Sequence, residues 1–330
     1  LDSSDPEEST GLLAKGIRGE YTPPCFYPPT CTGEENDVAQ IIDGSALSKK
    51  IREEIRREVE AMASRGEQVP GLAVILVGED PASSVYVNQK GRACDTAGFV
   101  SREIKLPAET AQDDLIAMIR ELNRDPAIHG ILVQLPLPKH IDEAAAIEAI
   151  DPAKDVDGFH PINTGRLAIG TDCLMPCTPL GVIEMLRHTG INPSGKRALV
   201  VGRSNIVGKP LAAMLLKLNA TVTIAHSKTA NLQEEVGRAD ILCAAVGKPA
   251  CIPGSWVKSG AIVLDVGTNA VPNPDKPGTT KLVGDVEFGP AAERAAFITP
   301  VPGGVGPMTI AMLLANTLKA RNALHAANKS

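Results

Sequence analysis

Apolar residues recur at helical spacing through Leu47, Ile51, Ile55, Val59 and Met62, which predicts a helix just after Asp43-Gly44. An unbroken apolar run over 72–77, ended by Gly78, predicts a strand buried on both faces. Residues 83–97 read as a second helix with Gly98 as its C-cap. Apolar and polar residues alternate over 99–106, which predicts another strand. Leu115, Met118, Ile119 and Leu122 mark a third helix. A second buried strand spans 130–135, closed by Pro136 and Pro138. This β-α-β-α-β order predicts a parallel sheet covered by helices.

A loop-rich stretch comes next, over 151–178. A connecting helix over 178–187 then leads into a second run of elements. Strands are predicted at 198–201, 221–225, 240–246 and 261–266, with a helix over 207–218. A final helix runs from near Pro307 to about Ala320, with Leu313, Leu314 and Leu318 on its apolar face. No repeat of solenoid period is visible. The fold class is α/β.

Composition narrows the picture. The chain has 330 residues, 43% hydrophobic but only 3% aromatic, so the core is aliphatic. A net charge of −6 argues against a general nucleic-acid or anionic-membrane surface. No apolar run approaches the roughly 20 residues that span a bilayer. Seven scattered cysteines, at 25, 31, 94, 173, 177, 243 and 251, read as free thiols in a reducing compartment. Residues 1–37 hold eight acidic against two basic residues, with Pro23, Pro24, Pro28 and Pro29, and read as a disordered tail. That tail is too acidic for a transit peptide, though it fits a segment left behind when one is cleaved. The compartment is therefore open between organelle and cytosol.

The clearest chemistry is a βαβ unit from about Lys196 to Ser227. Leu199-Val200-Val201 ends at Gly202, a loop turns through Arg203 and Ser204 to Gly208, and a helix begins there. A pyrophosphate can meet free N–H groups at such a start. The pattern Gly202-x-Ser204-x-x-x-Gly208 departs from G-x-G-x-x-G, so a plain strand–helix turn stays open. The next strand ends at His226-Ser227-Lys228-Thr229 with no acid for a ribose hydroxyl. Arg203 and the Ser227 hydroxyl suit a 2′-phosphate, which favours NADP over NAD.

Three features mark the first half. Tyr86 and Lys90 are four apart on one helix face, as an exposed lysine over a tyrosine would also be. Gln134 interrupts a buried strand near its carboxyl end, where open α/β sheets place ligand groups, or is a backbone-satisfied core amide. Asp157, in Lys154-Asp155-Val156-Asp157-Gly158, can accept two parallel N–H bonds from an amidine-like edge, or cap a turn. Farther on, 299–309 is a proline- and glycine-rich loop before the last helix. Its glycines permit close backbone approach to a ligand.

Together these blocks resemble the bifunctional methylenetetrahydrofolate dehydrogenase/methenyltetrahydrofolate cyclohydrolase family. The likeness is carried by Tyr86-Val87-Asn88-Gln89-Lys90, the strings 130–138 and 154–158, Pro176-Cys177-Thr178-Pro179, 202–208, 226–229, Gly284-Asp285-Val286 and 300–309. It covers about 38–322. The resemblance implies two three-layer domains, the second a Rossmann-like NAD(P)-binding domain, with the C-terminal helix returning to the first. It divides the chain into the tail 1–37, a folate-binding catalytic domain over 38–177 plus 308–330, and an NADP-binding domain over 178–307. It implies tetrahydrofolate substrates, NADP as cofactor, no metal, no nucleic-acid or membrane partner, and a homodimer. Lys90 would be the acid/base of hydrolysis, held by Gln134, with Asp157 on the pterin and Tyr86 stacked on the aminobenzoyl ring. Substrate contacts would come from Tyr86, Val87, Asn88, Gln89, Lys90, Val133, Gln134, Leu135, Asp157 and the loop Pro302, Gly303, Gly304, Val305, Gly306. Cofactor contacts would come from Gly202, Arg203, Ser204, Ser227 and Thr268. A monofunctional dehydrogenase and a silent folate- or nucleotide-binding protein remain as alternatives, and Lys90 discriminates between one activity and two.

Overall fold

The structure is a computed structural model that describes residues 38–327. The expected disordered tail, with Cys25 and Cys31, lies outside the described residues.

The chain opens with β1 (Gln40–Ile41) and α1 (Gly44–Ser64). The Asp43 carboxylate accepts the Ala46 N–H at 2.9 Å and so caps α1. Then come β2 (Gly71–Val77), α2 (Pro81–Ala97), β3 (Val100–Leu106), α3 (Gln112–Arg124) and β4 (Gly130–Val133). Asp80 caps α2 through Ser83 N–H at 2.7 Å, and Gly98 closes it in the left-handed region at φ 76°. The three strands form a parallel sheet in the order β3-β2-β4. On β2, Leu72, Val74 and Leu76 enter one core while Ala73, Ile75 and Val77 enter another. That two-sided burial is why 72–77 reads as an unbroken apolar run. At the sheet edge, β3 leaves Val100 half exposed, which explains its alternating pattern.

The connecting region carries α4 (Glu143–Glu148) and α5 (Pro161–Ala168), and then α6 (Cys177–His188). The second unit holds β5 (Arg197–Val201), α7 (Gly208–Lys217), β6 (Thr221–Ala225), α8 (Leu232–Arg238), β7 (Ile241–Ala244) and β8 (Ile262–Asp265). Next come β9 (Asn269–Pro272) and β10 (Thr280–Val283), an antiparallel hairpin, then α9 (Phe288–Ala292) and β11 (Phe297–Ile298). The second sheet is parallel throughout, in the order β1-β11-β8-β7-β5-β6. Gln40–Ile41, expected with the first domain, pairs instead with β11 on this sheet. A two-residue strand carries no period to read.

The last helix, α10 (Val305–Ala327), begins two residues before Pro307 and runs past Ala320. It is buried on most sides, at Val305, Met308, Ala311, Met312, Leu313, Leu314 and Leu318 among others. Helices apolar all round lie inside a fold rather than on it. It packs against α1 and α6, and one hydrophobic core runs from β2 through α6 and α10 to β5. Ser48 Oγ donates to the Pro307 carbonyl at 2.8 Å, and Arg321 Nε to the Gln68 carbonyl at 2.7 Å. The final helix thus returns to the first sheet. Among the described residues, no helix is long and apolar enough to cross a membrane.

Two differences bear on the site. The strand expected over 130–135 ends at Val133, so Gln134 sits just past its carboxyl end, though Gln134 N–H still donates to the Ile75 carbonyl at 2.8 Å. The loop before α10 lies on the first turn of α1. A Cβ on Gly44 would stand 1.9 Å from the Gly304 carbonyl oxygen, and Ser45 N–H donates to the Gly303 carbonyl at 3.0 Å.

Gly44→Ala tests that contact. Alanine favours a helix by about 1 kcal/mol over glycine, yet overpacking costs about 1–3 kcal/mol. We expect a net loss of stability in denaturant unfolding; a gain would show that the loop does not seat on α1.

Candidate active site

Parallel strands place their carboxyl-end loops on one edge of a sheet, and helices α1 and α2 rise beside them. From α2, Lys90 Nζ donates to Gln134 Oε1 at 3.0 Å. The Gln134 amide nitrogen donates to its neighbour's carbonyl at Leu135, at 2.7 Å. This fixes the amide so that its oxygen faces the lysine. Asp157 completes the group. Burial pushes its carboxyl above the ordinary carboxylate range, the Lys90 ammonium pulls it back, and the Asp155 carboxylate raises it. Three residues expected to act together are therefore brought together.

The motif around Asp157 divides into one chemical residue and a frame. Lys154 is buried and donates to the Leu122 and Asp125 carbonyls at 3.1 and 2.8 Å. Asp155 is buried too, accepting from the N–H groups of Phe159 at 3.2 Å and His160 at 2.8 Å and from Asn163 Nδ2 at 2.9 Å. Gly158 has φ 71°, and a Cβ there would meet the Met175 carbonyl carbon at 2.4 Å. Only Asp157 keeps a carboxylate for a ligand.

Two residues to which the sequence assigned no role hold this frame. The Cys177 thiol donates to the Val156 carbonyl at 3.2 Å. Asn316 Nδ2, from α10, donates to the carbonyls of Val156 and Met175, each at 2.8 Å. Burial pushes the Cys177 thiol well above its ordinary range, with the Asp157 carboxylate adding to the rise, so it is a neutral thiol. The signal for Asn316 was a polar residue inside an apolar helical stretch. The five described cysteines are all free.

Other expected contacts separate. Tyr86 is half exposed on the face of α2 that carries Lys90. The side chains of Val87 and Val133, 1% and 5% exposed, pack into apolar cores, so a substrate contact at either position would be made by its backbone. Asn88 and Gln89 are exposed, and Gln89 lines a shallow cavity of about 270 Å³ with Arg52, Arg92 and Thr96. Leu135 is half-buried. In the 302–306 loop, Gly304 and Val305 are buried while Pro302 and Gly306 face solvent. Gly304 is closely packed within the protein: its carbonyl lies against Gly44, and a Cβ on it would stand 2.4 Å from the Pro300 carbonyl oxygen.

The nucleotide unit lies at the carboxyl ends of β5 and β7. The chain passes from β5 to β6 on one side and returns to β7 on the other, so the strand order reverses there. Such reversals open the ligand crevice of parallel sheets. Gly202 has φ 128°, and a Cβ on it would lie 2.2 Å from the Ala245 carbonyl oxygen. A Cβ on Gly208 would lie 2.3 Å from the Gly202 carbonyl oxygen. Ser204 Oγ accepts from the N–H groups of Val207 and Gly208 at 3.1 and 3.3 Å. The irregular glycine pattern is thus a tight cradle at the start of α7. Arg203 and Ser227 are exposed beside it, and Thr268 is exposed past β8. His226 Nδ1 accepts from Lys228 N–H at 3.1 Å, shaping the turn that presents Ser227. These residues fit a dinucleotide.

Folding raises the Asp157 pKa, so the folded state binds that proton more tightly than the unfolded chain. This contribution to stability is full below the unfolded carboxyl's pKa and is lost as pH rises through the raised folded value. Asp157→Asn is therefore expected to stabilise the protein near pH 7.5, with the gain shrinking in acid. Denaturant midpoints at neutral and acid pH check this, and a gain that grows in acid would contradict it. Asn316→Leu takes the side-chain donor from the buried Met175 carbonyl and leaves the Val156 carbonyl with the weaker Cys177 thiol, and is expected to cost about 2 kcal/mol in unfolding experiments.

Comparison with known proteins identifies the family. A family model described as tetrahydrofolate dehydrogenase/cyclohydrolase, catalytic domain, matches residues 42–157, and its NAD(P)-binding domain partner matches 176–325. The bifunctional protein FolD of Geotalea uraniireducens is 60% identical over 283 residues, covering 86% of this chain and 99% of that one. Among solved structures, the bifunctional methylenetetrahydrofolate dehydrogenase/cyclohydrolase of Campylobacter jejuni shares 46% identity at a TM-score of 0.82, covering 87% of this chain and 99% of that one. The Trypanosoma brucei enzyme, solved with NADP cofactor and inhibitor, shares 43% at 0.83, with the same coverage. With both domain models matched in order along one chain, the protein belongs to the tetrahydrofolate dehydrogenase/cyclohydrolase family and is an enzyme of one-carbon folate metabolism.

Proposed function

We propose that the chain oxidises 5,10-methylenetetrahydrofolate to the 5,10-methenyl cation with NADP and hydrolyses that cation to 10-formyltetrahydrofolate. The observation that carries this reading is the Lys90–Gln134 hydrogen bond with Asp157 beside it. NADP, bound in the crevice between β5 and β7, supplies the hydride acceptor.

The hydride step turns a neutral ring into a cation and needs no base, only alignment. Asp157 accepts the paired N–H groups of the pterin edge, and Tyr86 stacks on the aminobenzoyl ring. Pro302 and Gly306, exposed beside the start of α1, and Thr268 line the approach to the nicotinamide. Hydrolysis needs a proton removed from water as its oxygen adds to the cationic carbon, and a proton delivered as the ring C–N bond breaks. Lys90 does both, and Gln134 fixes its direction. Gly202 and Ser204 seat the pyrophosphate at the start of α7. Arg203 and Ser227 take the 2′-phosphate, with no acid on this loop to repel it.

The catalytic domain comprises about 42–177 with the returning helix α10, and the nucleotide domain comprises about 178–304 with β1 added at its edge. The family likeness supports a homodimer, which sedimentation at twice the chain mass would bear out. A monofunctional dehydrogenase is the second reading, and the placement of Lys90 against Gln134 disfavours it.

Lys90→Met is expected to abolish methenyl hydrolysis and leave dehydrogenase turnover measurable; hydrolysis at the normal rate would remove Lys90 from the mechanism. A spectrophotometric assay with methylenetetrahydrofolate is expected to show higher kcat/KM with NADP than with NAD. Arg203→Ala should narrow that preference by about tenfold. Faster turnover with NAD would overturn the cofactor assignment.

A further inference from the structure

The block Gly284-Asp285-Val286 takes no part in the mechanism above, yet it sits under the cofactor crevice. Asp285 is fully buried. Its carboxylate accepts from three consecutive backbone N–H groups: Val246 at 2.6 Å, Gly247 at 3.0 Å and Lys248 at 3.0 Å. Asn269 Nδ2 supplies a fourth donor at 2.9 Å. A second buried carboxylate interlocks with it. Asp265 accepts from Gly267 N–H at 2.9 Å, Asp285 N–H at 3.0 Å and Val286 N–H at 2.8 Å. Neither glycine beside them tolerates a side chain. A Cβ on Gly267 would lie 2.2 Å from Asp285 Oδ1, and one on Gly284 would lie 2.0 Å from Asp265 Oδ2.

The two carboxylates thus pin three loops: the one after β7, the one after β8 that carries Thr268, and the one after β10. The loop after β7 is a wall of the crevice, since Ala245 already touches the Gly202 turn on the opposite wall. Four donors on one carboxylate form a rigid bracket. Asp285 itself is too deep to reach a ligand. Its effect must pass through the position of 246–248 and 268.

We propose that Asp285 is a positioning residue for hydride transfer, setting the loop walls against which the nicotinamide half of NADP is aligned, and that it has no part in hydrolysis. This rests on the crevice assignment above. The dehydrogenase needs the cofactor aligned to well within about 1 Å. The hydrolytic group is anchored elsewhere. Lys90 donates to Gln134, whose amide donates in turn to the Leu135 carbonyl, and the Asp157 loop hangs from Asn316 on α10.

The test is the full chain carrying Asp285→Asn. The amide has nearly the same shape but turns one acceptor oxygen into a donor that faces two N–H groups. Hydrolysis is measured with preformed methenyltetrahydrofolate, and the dehydrogenase with methylenetetrahydrofolate and NADP. Hydrolysis should stay within about twofold of wild type, while dehydrogenase kcat/KM should fall at least about tenfold, with a raised KM for NADP. Proportional loss of both activities, or loss of neither, overturns the proposal. Should this variant fail to fold, Asn269→Ala removes one donor and keeps the carboxylate. It should raise the KM for NADP by about threefold with hydrolysis unchanged, and an unchanged KM then overturns the proposal. Failure of the crevice assignment would show separately, as an Arg203→Ala variant whose KM for NADP does not move.

Discussion

The buried amide of Asn316 joins parts of the chain that are far apart in sequence. It bonds at once to the carbonyls of Val156 and Met175, so the last helix, the Asp157 loop and the entry to α6 share one nitrogen. A buried carbonyl without a donor costs about 1–3 kcal/mol, so this position strongly favours an amide. The Cys177 thiol, bonded to the same Val156 carbonyl, doubles the tie. Asp157 follows the Val156 carbonyl directly, so this tie fixes the backbone from which its carboxylate extends.

The rest of the architecture derives from parallel pairing. Parallel strands need crossover helices, and those helices cover both faces of each sheet. Apolar runs such as 72–77 are the result. The same connectivity gathers functional loops at the carboxyl ends of strands. Gln134 comes after β4, Gly202 after β5, Ser227 after β6 and Thr268 after β8. Rigid sheets supply the positions, and short loops supply the chemistry.

Charge is handled differently in the two halves. Around Asp157 a carboxylate is kept with few donors and one cation nearby, which leaves it available to a substrate. Around Asp265 and Asp285 the carboxylates are saturated with backbone donors and serve as brackets. Acidic residues of the same type are therefore assigned by the number of N–H groups aimed at them. The contrast between Asp155 and Asp157, two positions apart, makes the same point.

Periodicity in the sequence was enough to place the long elements, because burial on one or two faces writes a period of 3.6 or 2 into the chain. It also placed Lys90 and Tyr86 on one helix face and marked Gln134, Gly202 and Ser227 by where strands end. Short pieces were not legible: β1 and β11 have two residues each, and the β9–β10 hairpin contains Pro272. Only the tertiary structure turned the Val87 and Val133 side chains into the apolar cores, and showed that Gly44 is small for the sake of the Gly304 carbonyl. The roles of Asn316, Cys177 and Asp285 were likewise decided in three dimensions. Each depends on backbone groups brought from distant segments, and sequence spacing carries no record of such contacts.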